Sequence, residues 1–405
     1  MIRNLISAEA VERISNSLPK PCAQSAGNGR RQPVHTVYGG AHLFQSDTAR
    51  KLGTIALRVL EANAGGVPGL FPQAIYDRVI EKLRREPVED YRIDFEDGFG
   101  YRSDEEEDEQ ALRTAKELAE GMEQRTLPPF IGIRIKALTP ESHRRAFRTL
   151  DIFLSACDGK LPSDFVVTLP KITSTAQVAA LADALDEMRC TAKIELMIET
   201  PQSLDGARLA DAARGRCTAA HFGAYDYTAA IGITSSHQDL LHPACDYARN
   251  RMQEAFGGTE IFLSDGATNI LPVGAPDVIH RAWRLHYKHI RHALSAGFYQ
   301  GCDLHPAQLP VRYAAVYTFF AEELEAAAAR LKNFISVAAR ATRTGDLFDD
   351  AATGQGLLNY FIRAMNCGAL SEQEAVEATG LSADDLRSGS FQAILEKSRG
   401  LHSEA

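Results

Sequence analysis

Eight short β-rich runs recur along this chain at fairly even intervals, each followed by a helical pattern, and that alternation limits the possible folds more than any other feature. The runs are 35–43 (HTVYGGAHL), 91–97 (YRIDFED), 130–138 (FIGIRIKAL), 164–172 (DFVVTLPKI), 192–200 (AKIELMIET), 218–223 (TAAHFG), 260–267 (EIFLSDGA) and 299–305 (YQGCDLH). Between them lie amphipathic stretches such as ARKLGTIALRVLEANA and STAQVAALADALDEM, and acidic residues crowd the first turn after the capping residue Ser103. Eight strands alternating with helices predict an α/β fold, a closed parallel (β/α)8 TIM barrel with its functional groups at the C-terminal ends of the strands. From about residue 307 the pattern is helical. The expected organisation is a barrel with an N-terminal extension over 1–310 and a helical C-terminal extension over 311–405, packing on the barrel or on a neighbouring subunit.

Side chains alternate along a strand, so each run splits into two faces. In YRIDFED, Ile93 and Phe95 share one face, and Arg92, Asp94 and Glu96 the other. In AKIELMIET, Ile194, Leu196 and Ile198 oppose Glu195, Met197 and Glu199. The apolar set must face the helices, which sends the charged set into the barrel. The same division sends Arg134 and Lys136 inward and groups Asp303 with His305. Buried charges are costly unless paired or bound to a metal. Arg92 and Glu195, lower in the barrel, are expected to form an interior ion pair, whereas Glu96, Glu199 and Asp226 near the rim point to a site.

Composition removes several functions. Lys plus Arg number 44 against 53 Asp plus Glu, a formal charge of −9, which offers no footprint for nucleic acid or an anionic membrane. No run of apolar residues reaches the length of a membrane span, and the first residues carry charges where a signal peptide would be apolar, so a cytoplasmic protein is expected. Seven scattered cysteines without a C-x-x-C predict free thiols.

Asp226 follows the sixth run after a small-residue turn, and Glu199 ends the fifth. Together they could hold one divalent cation through oxygen alone, which suits Mg²⁺ or Mn²⁺. Arg134 offers a planar fork for a substrate carboxylate. Such parts would stabilise an enolate of a small 2-keto or hydroxy carboxylic acid.

The series DFEDG at 94–98, IRI around Arg134, LPK at 169–171, IETPQS at 198–203, FGAYDYTAAIG at 222–232 and DLHPAQL at 303–309 resembles, in order and spacing, the citrate lyase β-subunit-like branch of the HpcH/HpaI aldolase/citrate lyase superfamily. The resemblance covers roughly 35–310. It implies a metal-dependent carbon–carbon lyase or aldolase, often a homotrimer or hexamer, acting on a small carboxylate that can be a CoA ester. Position by position, it implies Glu199 and Asp226 as metal ligands and Arg134 as the arginine that binds substrate. Asp94, Glu96 and Asp97 then form the acidic motif around the metal and its waters. The tail segment GDLFDDAATGQG resembles the part of the family that sends an Asp to a neighbour's site as general acid or base. Asp350 matches best and Asp349 is adjacent; a loop capping the helix that begins near Thr353 is the other reading.

Three further features carry expectations. His42 near the first strand's end and His305 at the last are candidate substrate contacts. His286, His289 and His292 fan across one helix and are expected on a basic, solvated or subunit-contact face. Lys171, at the end of the fourth strand, is a candidate substrate contact and opens a rival reading, a metal-independent Schiff-base aldolase. A separate rival is a barrel that has lost catalysis and serves as a binding or assembly subunit.

Overall fold

A computed structural model describes residue 13, residues 30–339 and residues 351–403. Eight parallel strands close into one barrel in chain order. They are β1 (His35–Gly40), β2 (Asp90–Asp94), β3 (Phe130–Arg134), β4 (Val166–Leu169), β5 (Lys193–Ile198), β6 (Cys217–Phe222), β7 (Phe262–Ala267) and β8 (Gln300–Asp303). Every expected strand is present. β1 to β4 stop three or four residues before the sequence runs do, where the ends of those runs turn into rim loops.

The helices that follow the strands are α1 (Thr48–Asn63), α2 (Gln73–Arg85), α3 (Asp104–Gln124), α4 (His143–Ala156), α5 (Thr175–Glu187), α6 (Gly206–Ala212), α7 (Ala224–Ala230), α8 (Pro243–Phe256) and α9 (Pro276–Ser295). α10 (Leu309–Ala339) continues past the barrel, and α11 (Ala351–Cys367), α12 (Glu372–Thr379), α13 (Ala383–Ser388) and α14 (Phe391–Ser403) complete the extension. Ser103 caps α3 as expected: its side chain accepts from Glu106 N–H while Glu106 returns a bond to Ser103 N–H.

The main apolar core lies between the strands and the helices, with Ile93, Ile133, Val167, Ile194 and Leu196 all fully buried on the outward strand face. The inward face is polar. Arg92 donates to Glu195 at 3.1 Å and pairs with Asp90, Thr168 donates to Glu195 at 2.6 Å, and Tyr38 donates to Glu195 at 3.1 Å. His221 lies 2.9 Å from the same carboxylate. The expected Arg92–Glu195 pair is therefore the centre of a saturated interior network.

Three sequence expectations are corrected here. Asp303 does not belong to the inward set: it faces the helix layer, where Arg312, His35 and His286 all contact it at 2.9–3.1 Å. The histidine face of α9 is turned inward rather than solvated. His286 and His289 are buried against Thr268, and His292 meets Asp246 at 2.7 Å, so acidic partners absent in sequence neighbourhood arrive from other elements. Lys136 leaves the barrel too, donating to Phe95 C=O at 2.9 Å and pairing with Glu107 of α3 at 3.1 Å.

The described extension packs on its own barrel. Arg78 of α2 pairs with Glu374 of α12, Tyr313 of α10 donates to Pro87 C=O just before β2 at 3.1 Å, and Arg363 of α11 donates to Gln32 just before β1 at 2.9 Å. These contacts lie at the N-terminal end of the strands, opposite the rim. No described helix is long and apolar enough to cross a membrane.

Candidate active site at the barrel rim

The rim site begins with β2 and β3, whose register sets Asp94 beside Arg134. Asp94 is fully buried and accepts from Arg134 Nε at 2.7 Å, from Glu96 N–H at 2.9 Å and from Gly98 N–H at 2.7 Å. A Cβ at position 98 would come within 2.5 Å of the Asp94 carboxylate, so the glycine of DFEDG lets the loop close over it. Asp94 thus anchors Arg134. With Nε and one side of Nη2 committed, the end-on edge of the guanidinium remains, with Glu96 at 3.4 Å and Asp97 at 3.9 Å from Nη1. Tyr38, which sequence reasoning did not single out, supports Arg134 from below, its ring 4.8 Å from the guanidinium. The alternation of Thr36, Tyr38 and Gly40 along β1 was the available signal.

Lys171 follows β4 with φ of 50°, a left-handed conformation that a lysine rarely adopts. The turn gives it two functions. Its backbone N–H donates to Glu199 at 2.5 Å, and its ammonium pairs with Glu96 and, at 2.9 Å, with Asp97. Burial alone would lower its pKa, but Glu96 and Asp97 outweigh burial and raise it above the ordinary lysine value. A Schiff-base lysine needs the opposite shift, so the structure speaks against that rival.

Glu199 directly follows β5 and is 2% exposed. Burial pushes its carboxyl up to about 7; the Lys171 N–H and Arg134 restrain the rise, while Asp226 and Glu96 add to it as like charges. Gly223 at the end of β6 makes room for this side chain, since a Cβ there would lie 2.4 Å from Glu199 Oε2. Asp226 is exposed in the first turn of α7, open to solvent above Glu199. Burial likewise raises Glu96, against the pull of Arg134, whereas Asp97 is held below its ordinary value by hydrogen bonds from Glu96 and Lys171 that overcome its burial.

The donor set fits a hard divalent cation. Both candidate ligands, Glu199 and Asp226, present carboxylate oxygen, and Glu199 is a buried carboxyl without a cationic side chain hydrogen-bonded to it. Among the described residues no group of three or more His, Cys, Asp or Glu side chains forms a cage. One or two carboxylates with water completing the shell is the arrangement Mg²⁺ favours.

The other expected contacts fall elsewhere. His42 stands on the rim beside Phe99, its ring 5.8 Å away, with its pKa lowered by burial and by Arg102 and Arg113. His305 caps the turn Pro306–Gln308, accepting from Ala307 N–H at 3.1 Å, which explains it without substrate. Asp350 and Asp349 lie outside the described residues.

No curated protein matches the sequence. Among solved structures, RipC from Yersinia pestis is similar at 18% identity, over 71% of this chain and 96% of that one, with a TM-score of 0.46. CitE from Mycobacterium tuberculosis in complex with magnesium and pyruvate matches at 19% identity, over 72% and 92%, with a TM-score of 0.44. The magnesium/glyoxylate complex of Haloferax volcanii malate synthase matches at 13% identity, over 91% and 98%, with a TM-score of 0.49. A family profile, described as a domain of unknown function (DUF6986), matches residues 23–394, and the chain belongs to that family.

Proposed function

We propose that this chain is a divalent-metal-dependent carbon–carbon lyase or aldolase acting on a small 2-keto or hydroxy carboxylic acid, or its CoA ester, through an enolate. The observation that carries this reading is the juxtaposition at one strand-end rim of a buried, under-neutralised Glu199 with Arg134, which Asp94 holds in place and whose Nη1 edge faces the rim carboxylates Glu96 and Asp97 at 3.4 and 3.9 Å. The motif series quoted above supports the same chemistry.

Glu199 and Asp226 would hold Mg²⁺ or Mn²⁺, and the bound cation would supply Lewis-acid stabilisation of negative charge on the substrate's carbonyl or enolate oxygen. Arg134, locked by Asp94 and stacked on Tyr38, receives the substrate carboxylate on its end-on edge. Its geometry is set before substrate arrives, which removes part of the entropic cost of orientation. Glu96, whose carboxyl burial pushes up from its ordinary value, is the group that moves a proton. In the cleavage direction a proton leaves the substrate hydroxyl, the carbon–carbon bond breaks, and its electron pair becomes the enolate, which is then protonated at carbon. Lys171 pairs with both Glu96 and Asp97 and screens their mutual repulsion.

The test is exchange of the pyruvate methyl protons with deuterium, followed by proton NMR with Mg²⁺ present, and then cleavage of a panel of hydroxy acids and their CoA esters. Metal-dependent exchange that disappears in Glu199→Ala is expected. No exchange and no cleavage across the panel would leave a binding subunit as the better description.

A further inference from the structure

At the other end of the barrel, a cavity of about 220 Å³ separates the strand N-termini from the C-terminal helices. We infer that it is a binding site for a small organic carboxylate, independent of the rim. Asn359, Arg363 and Asn366 line it from α11, spaced i, i+4 and i+7 and therefore on one helix face. The Arg363 guanidinium lies over the Tyr299 ring at 4.1 Å and donates from Nη1 to Gln32 Oε1 at 2.9 Å. Gln32 is fixed in turn, since its amide donates to Leu263 C=O at 3.2 Å.

Those two contacts use one face and one N–H of a group with five donors. No carboxylate pairs with Arg363 among the described residues. Enclosing a guanidinium without an anion is unfavourable, and burial does lower its pKa. Across the cavity Arg30 stacks over Phe262 at 5.0 Å and lies 3.6 Å from Asp164. Glu260, the acidic residue of the lining, is exposed.

The remaining walls are largely apolar, with Val34, Val316, Phe320 and Ile362 buried. Arg363 without a carboxylate partner among the described residues, two helix amides and an apolar floor describe a ligand with a single carboxylate and a hydrophobic body. The volume lies below the roughly 300–1,000 Å³ of pockets for drug-sized ligands, so a molecule the size of benzoate fits. A dianionic phosphate would leave the apolar walls unused.

The experiment is calorimetric titration of the full chain with benzoate and, separately, with inorganic phosphate. Saturable benzoate binding is expected, weakened at least tenfold in Arg363→Gln, less in Arg363→Lys, and unchanged in Lys171→Met, which alters only the rim. Should Arg363→Gln fail to fold, Asn366→Phe fills the cavity while sparing the guanidinium, and is expected to block binding. Absence of benzoate binding overturns the inference. So does equal affinity in the wild type and both cavity variants, or binding of phosphate with benzoate excluded.

Discussion

Glu195 within β5 and Glu199 just past its last residue stand four residues apart and are both buried, yet their chemistry is opposite. Glu195 receives Arg92, His221, Thr168 and Tyr38. Burial raises its carboxyl, but Arg92 and His221 overcome that and hold it below the ordinary range. Glu199 receives one backbone N–H and faces two other carboxylates, and it rises to about 7. Burial is common to both; what differs is neutralisation. The interior carboxylate is neutralised by its partners, while the rim carboxylate is left short of positive charge.

The largest effect that could break this comparison is on stability. Glu195→Ala leaves Arg92 buried with Asp90 as its one remaining carboxylate and is expected to cost about 3–5 kcal/mol. Glu199→Ala removes a strained carboxyl and should leave denaturant stability unchanged or raised. Equal destabilisation by the two substitutions would erase the distinction between structural and functional carboxylates.

Next in size is recognition of the substrate carboxylate. Arg134→Lys keeps the charge but loses the fork and the contact with Asp94, so oxalate or pyruvate binding should weaken by roughly tenfold or more. Equal oxalate affinity would assign Arg134 to the interior network instead.

A pH titration sharpens the comparison further. Because the folded-state pKa of Glu199 is raised from 4.5 to about 7, its carboxyl favours the fold fully below 4.5, and that contribution disappears as pH rises through 7. Metal-free protein should therefore lose stability between these values, and Glu199→Gln should flatten the slope. Apparent Mn²⁺ affinity should rise by about tenfold per unit on approaching pH 7 and level off above it. The smallest expected effect is a null one: borohydride with pyruvate should trap no adduct on Lys171, and a trapped adduct would restore the Schiff-base mechanism.

The sequence made the barrel legible because strand alternation places apolar and charged faces by a fixed period of two. Ile93 with Phe95, and Arg92 with Asp94, needed no tertiary information. The rule failed where a strand ended early: Lys136 lies past Arg134, the last residue of β3, and so follows loop geometry. It failed also for Asp303, whose partners Arg312, His35 and His286 come from elements distant in sequence. The buried histidines of α9 were misread for the same reason, since Thr268 and Asp246 are not neighbours along the chain. Within the rim, the identities of Glu199 and Arg134 were legible, but the commitment of Arg134 to Asp94 and the left-handed turn at Lys171 were not.

The central claim is that the under-neutralised rim carboxylate exists to take a metal. Calorimetric titration of Mn²⁺ into the full chain and into Glu199→Ala, with circular dichroism confirming that both are folded, tests it most directly. A saturable Mn²⁺ site in the wild type that is lost in the variant is the predicted result. Unchanged Mn²⁺ affinity in Glu199→Ala would contradict the account.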